Sequence, residues 1–74
     1  MSKYRPYTEK DMPAVHLCAV TRKDYFFAQT ITGWNDEAVE LSGGFMYYYH
    51  ELLDNFEFLD GSPCGIEEND IQIN

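Results

Sequence analysis

The chain has 74 residues, of which 45% are apolar and 16% aromatic, and it carries a formal net charge of −8. That length allows one domain, 1–74, whose core is marginal unless bulky side chains fill it; five Phe, six Tyr and one Trp are available to do so. The negative charge argues against direct binding of DNA, RNA or an anionic membrane, and no apolar run approaches the roughly 18 residues of a membrane-spanning helix.

Residues 1–13 read as an irregular arm. Thr8-Glu9-Lys10-Asp11 has the hydroxyl-to-carboxylate spacing of a capping box, and Pro13 disfavours helical geometry at Met12. The opening Met1-Ser2-Lys3-Tyr4-Arg5-Pro6 lacks the apolar stretch of a secretion signal, which points to the cytoplasm. From Ala14 the pattern is β: Val15, Leu17 and Ala19 alternate with His16, Cys18 and Val20. Thr21-Arg22-Lys23-Asp24 is a polar connection. Tyr25 to Thr32 is dense in aromatic and β-branched residues and predicts a second strand.

Gly33 to Glu37 predicts a turn and Ala38-Val39-Glu40-Leu41 the strand that completes a hairpin, with Val39 and Leu41 on one face. Ser42-Gly43-Gly44 is a further turn, followed by a strand from Phe45 to Tyr49. Tyr49, Leu52, Leu53 and Phe56 then recur at helical spacing, with Asn55 placed to close the helix in a left-handed conformation. Phe56-Glu57-Phe58 alternates as a strand, Asp60 to Pro63 is a turn, and residues 67–74 form an acidic tail in which Ile71 and Ile73 either add an edge strand or fray. The sum is a mainly β domain: a small SH3-like barrel or a twisted antiparallel sheet with one short C-terminal helix. An α+β hairpin-and-helix unit is the alternative.

Charge placement is the strongest functional signal. All five basic side chains, Lys3, Arg5, Lys10, Arg22 and Lys23, precede Asp24, so the first 23 residues carry +3 and the remaining 51 carry −11. Asp36, Glu37 and Glu40 around the hairpin and Glu51, Asp54 and Glu57 on or near the helix then form a negative surface suited to a basic partner or to imitation of nucleic acid. Trp34 in its turn and Tyr48 in the run Tyr47-Tyr48-Tyr49, whose members cannot all point inward, are candidate interface anchors. Folding Trp34 back as a lid over the core is the competing reading.

Catalytic and metal chemistry are weakly signalled. His16, Cys18, His50 and Cys64 are zinc-ligand types at spacings that fit no standard zinc motif, so no metal or other cofactor is expected. Cys64 in Ser62-Pro63-Cys64-Gly65 reads as an exposed turn thiol, with His50 or His16 as its base, but the surrounding negative charge raises a thiol pKa. Enzyme activity is not expected, and both cysteines are expected to be reduced.

The stretch Glu51 to Gly65, ending Phe58-Leu59-Asp60-Gly61-Ser62-Pro63-Cys64-Gly65, resembles small phage and prophage proteins with a similar C-terminal run. The resemblance implies a phage-type origin and a compact β fold, and small acidic phage proteins include inhibitors of host defence, anti-CRISPR proteins among them. The expected function is therefore an acidic inhibitor that docks on a basic host protein in the host cytoplasm, such as the nucleic-acid channel of a defence nuclease. Two alternatives remain open. One is a nucleotide- or small-ligand-capturing homo-oligomer in which aromatics stack the base and Arg5, Arg22 and Lys23 meet phosphates; the other is a structural or adaptor phage protein.

Overall fold

The computed structural model describes residues 2–69 of the chain. Among the described residues seven strands, one short helix and one 3-10 turn follow in order: β1 (Ser2–Pro6), the 3-10 turn (Met12–Val15), β2 (Ala19–Arg22), β3 (Gln29–Trp34), β4 (Ala38–Leu41), β5 (Phe45–Tyr48), α1 (Tyr49–Asn55), β6 (Phe56–Phe58) and β7 (Gly65–Asn69). Two antiparallel sheets result. One is the ribbon β1-β7; the other has five strands in the order β5-β4-β3-β2-β6. The meander β2 to β5 returns through α1, which lets β6 pair beside β2. Among the described residues β5 and β6 do not pair with each other, so the sheet stays open and no barrel closes.

Burial explains why the central strands form where they do. Val20, Ile31, Val39, Leu41, Leu52 and Phe56 are fully buried, together with Met12 and Cys64. Val39 and Leu41 share the core face of β4, as their alternation predicts. From the opposite side, α1 contributes Tyr49 and Leu52, and the chain continues into Phe56 at the first position of β6. Asn55 ends the helix without a left-handed cap: Phe56 leaves it in extended geometry, and its N–H donates to the Leu52 carbonyl. At the other end, the Glu51 carboxylate accepts the Tyr48 N–H at 3.0 Å and satisfies one of the free donors there.

The N-terminal arm is a strand, not irregular chain. Its register, Lys3 opposite Glu68 and Arg5 opposite Ile66, sets basic residues against the acidic C-terminal stretch. Arg5 also reaches Glu68 at 3.6 Å and Asp11 at 3.3 Å. The first 13 residues alternate too weakly in hydrophobicity to reveal this; the strand forms because a complementary strand exists some 60 positions later. The remainder of the predicted acidic tail, including Ile71 and Ile73, lies outside the described residues. Thr8 and Asp11 do interact, with the Asp11 carboxylate accepting both the Thr8 N–H and its hydroxyl, and the 3-10 turn begins one residue later with Pro13 in its first turn.

The strand expected from Ala14 is displaced. Val15 ends the 3-10 turn, Leu17 takes a left-handed φ of 68°, and β2 starts only at Ala19 and runs through Arg22. Leu17 still donates its N–H to the Ile31 carbonyl, at 2.8 Å. The strand expected from Tyr25 starts at Gln29. The Thr21 hydroxyl accepts the Phe27 N–H at 2.7 Å, folding Tyr25, Phe26 and Phe27 into an exposed loop. Arg22 braces that loop between the Tyr25 and Phe56 rings, 5.6 and 5.2 Å from their centroids.

Candidate functional site

The two edges of the five-stranded sheet are treated differently. At β6 the chain folds back on itself. Asp60 accepts the Ser62 N–H at 2.9 Å, Gly61 takes a φ of +89°, Phe58 donates its N–H to the Ser62 carbonyl, and Pro63 bridges Glu57. Cys64 then enters the core and Gly65 passes against the Arg5 carbonyl. The run Phe58 to Pro63 thus covers one sheet edge. At β5 no strand or bridge lies on the outer side among the described residues, and the Glu51 carboxylate takes the Tyr48 N–H there.

The register of β4 with β5 sorts the side chains there. Val39 opposes Tyr47 and Leu41 opposes Phe45 on the core face; Ala38 opposes Tyr48 and Glu40 opposes Met46 on the outer face. Tyr47 packs on Phe56 with ring centroids 4.9 Å apart, whereas Met46 and Tyr48 stay 48% and 57% exposed. Tyr48 stacks on His50, nearly parallel, with centroids 5.8 Å apart. It also stands between two grooves. One, of about 460 Å³, is lined by Pro6, Glu37, Tyr48, Tyr49 and His50. The other, of about 310 Å³, is lined by Ala38, Met46, Tyr47, Tyr48 and Glu51.

Four of the eight residues predicted from the sequence meet here: Glu37 and Glu51 each line a groove beside Tyr48, and Glu40 faces Met46 across the strands. Gly33 makes room for the Glu40 carboxylate, which lies 3.1 Å from where a Cβ would stand on that glycine. None of the three carboxylates has an ion-pair partner among the described residues.

The other four are placed elsewhere. Trp34 opposes Val39, so it belongs to the core face, where it is half-buried and meets His16 edge-on at 5.3 Å. It is the lid of the competing reading, on the opposite side of the sheet from Tyr48. Asp36 faces a third groove of about 340 Å³ with Tyr7, Glu9, Lys10 and Tyr49. Asp54 is exposed near the end of α1, and Glu57 sits on the far edge strand opposite Thr21. Met46 was not singled out from the sequence, although the spacing of two in Phe45-Met46-Tyr47-Tyr48 puts it on the same face as Tyr48. The exposed loop aromatics Tyr25 to Phe27 were missed because their composition reads as strand.

Both arginines are engaged with the chain's own acids. Arg5 holds Asp11 and Glu68, and Arg22 holds Asp24 at 3.2 Å. Hydrogen bonds hold the Asp11 and Asp24 carboxyls below the usual carboxylate range, chiefly the one from the Thr8 backbone N–H for Asp11 and the one from the Arg22 guanidinium for Asp24.

Cys64 is fully buried instead of exposed in a turn, and burial, the largest cause, pushes its thiol up to about 12. Lys23 opposes that shift, and Glu57 adds to it. Both cysteines are free. His16 and Cys18 share no strand face, and no group of three or more His, Cys, Asp or Glu among the described residues could hold a metal ion. No helix among the described residues is long and apolar enough to cross a membrane.

In comparisons with known proteins, the chain matches no family model, no curated protein and no solved structure.

Proposed function

We propose that this chain is a non-enzymatic binding protein that presents the outer face of β4 and β5 to a basic protein partner and blocks that partner's nucleic-acid-binding surface. The observation that carries the reading is the grouping of Glu37, Glu40 and Glu51 around exposed Met46 and Tyr48 with no cation among the described residues paired to them. Unpaired like charges at one site weaken folding through self-repulsion, and a basic partner would turn that repulsion into attraction and faster encounter. An aromatic and a methionine at the centre supply the apolar contact that charge alone lacks.

The resemblance of residues 51–65 to phage and prophage proteins makes a host defence nuclease, in the manner of anti-CRISPR inhibition, the first partner to test. The experiment is displacement of DNA from such a nuclease at low and at threefold higher salt, with wild type and with Glu37→Gln/Glu40→Gln/Glu51→Gln. Gln at position 51 keeps the hydrogen bond to Tyr48. The expected result is displacement that weakens with salt and is lost in the triple variant. Displacement insensitive to both would defeat the proposal. The nucleotide-binding alternative draws less support, because Arg5 and Arg22 already hold carboxylates.

A further inference from the structure

The end of the sheet opposite the Gly33–Glu37 turn carries an aromatic patch that the proposed function does not use. The meander places the turn after β2, the turn after β4 and the end of α1 together there. On these segments Tyr25, Phe26, Phe27 and Phe45 are 57%, 75%, 50% and 54% exposed. Contacts join them. Tyr25 lies 6.5 Å from Phe27, and Arg22 links Tyr25 to Phe56, which packs on Tyr47, two residues along the same strand face from Phe45. Hydrogen bonds hold both turns: the Lys23 N–H donates to the Asn55 carbonyl at 2.9 Å, the Phe27 N–H to the Thr21 hydroxyl, and the Gln29 side-chain amide to the Ser42 carbonyl at 3.1 Å. Aromatic side chains fixed on such turns lose little freedom on contact.

We propose that this patch is where two copies of the chain pair about a two-fold axis. Charge selects the occupant. The charged residues on the three segments are Arg22, Lys23, Asp24 and Asp54, which sum to zero in a chain of net charge −8. Two copies therefore meet here without the repulsion that opposes contact through the surface of Glu37, Glu40 and Glu51. Lys23 and Asp54 are both exposed beside the rings, so a two-fold contact, in which the patch meets its own copy, offers the cation of each copy a carboxylate of the other. The area agrees. At roughly 150–250 Å² per aromatic side chain, the exposed parts of the four rings come to about 700–1,200 Å² over two copies. The Gly43-Gly44 turn and the rim charges add to that, which reaches the lower bound of about 1,200 Å² for a stable interface and makes the dimer a reversible one. A basic partner finds no net negative charge at this end, and an anionic membrane is repelled by the chain as a whole. The inference stands apart from the proposed function, because Glu37 and Glu51 lie at the opposite end of the sheet and stay open in the dimer.

The test is sedimentation equilibrium of the whole protein from about 5 to 500 µM, a range that spans a micromolar dissociation constant. The expected result is a monomer–dimer equilibrium that Phe26→Ser weakens about tenfold. Leu59→Ser, at another exposed apolar position in the turn after β6, should leave it unchanged. Both positions are exposed, so the variants fold, which circular dichroism verifies. Lys23→Asp and Asp54→Lys should each weaken the dimer by about two- to fivefold, and the double exchange should restore it. A monomer at every concentration would overturn the proposal, as would a dimer that Phe26→Ser leaves unchanged or that Leu59→Ser weakens equally. Failure of the double exchange to restore a dimer weakened by both single ones would overturn the pairing of Lys23 with Asp54. A monomer that floats with zwitterionic phosphatidylcholine vesicles, and no longer does so after Phe26→Ser, would assign the patch to a lipid surface instead.

Discussion

Gly65→Ala tests whether the ribbon of β1 and β7 is an integral part of the fold. A Cβ on Gly65 would stand 2.5 Å from the Arg5 carbonyl oxygen and 2.9 Å from Leu53 Cδ1. The leucine methyl can rotate away, but the carbonyl is backbone, so the strands must part where Pro6 opposes Gly65. Overpacking of this kind costs about 1–3 kcal/mol. Backbone as the obstacle places the change in the upper half of that range, about 2–3 kcal/mol, partly offset by the lower entropy of Ala in the unfolded chain, about 0.4–1 kcal/mol. The net loss is about 1–2.5 kcal/mol, a large share of the roughly 4–11 kcal/mol available to a domain of this size. Thermal unfolding should drop by about 4–20 °C. Urea unfolding followed by near-ultraviolet circular dichroism measures the change. A double-mutant cycle with deletion of residues 1–6 isolates its origin: once β1 is gone, the alanine should cost much less. A loss below about 0.5 kcal/mol in the full chain, or the same loss with and without β1, would refute the reasoning.

Leu17 holds a left-handed φ while 65% exposed, so Leu17→Gly should relieve backbone strain at little packing cost and raise stability by about 0.5–1 kcal/mol in urea titration, after the entropic cost of glycine. A lower midpoint would show that the Leu17 side chain matters more than its backbone. Glu51→Ala should cost about 0.5–1 kcal/mol through loss of the acceptor for the Tyr48 N–H, and Glu51→Gln should restore most of it; equal stability of the two variants would argue against the cap. Alkaline pH should destabilise the fold in two stages. Burial is the largest cause of both shifts, raising the Cys64 thiol and the Tyr7 phenol each to about 12, so the folded chain retains protons that the unfolded chain releases from about pH 8.5 and pH 10 respectively. Stability is therefore fully present below about pH 8.5 and declines towards pH 12, and Cys64→Ala should flatten only the first stage of urea midpoints measured against pH.

Local chemistry made much of this protein legible in its sequence. Val39 and Leu41, the turn at Ser42-Gly43-Gly44, the strand from Phe45, the helical spacing of Tyr49 and Leu52, and the return strand Phe56-Glu57-Phe58 all depend on neighbours within a few residues, and all stand where they were expected. The charge imbalance after Lys23 was equally plain, being a property of composition.

What depended on distant partners was decided by the tertiary structure. Ser2–Pro6 becomes a strand only because Gly65–Asn69 lies beside it, and Tyr25 to Phe27 leaves the sheet because a hydroxyl from β2 captures the Phe27 N–H. The register of β4 with its two neighbours separates Trp34 from Tyr48 and sets Glu40 opposite Met46, while the start of α1 and the turn before β4 bring Glu51 and Glu37 beside Tyr48. Sequence alone therefore determined the sign and amount of charge and most of the central strands. Only folding decided which carboxylates share a surface, because a face is set by register between strands, and a slip of one residue would reverse it.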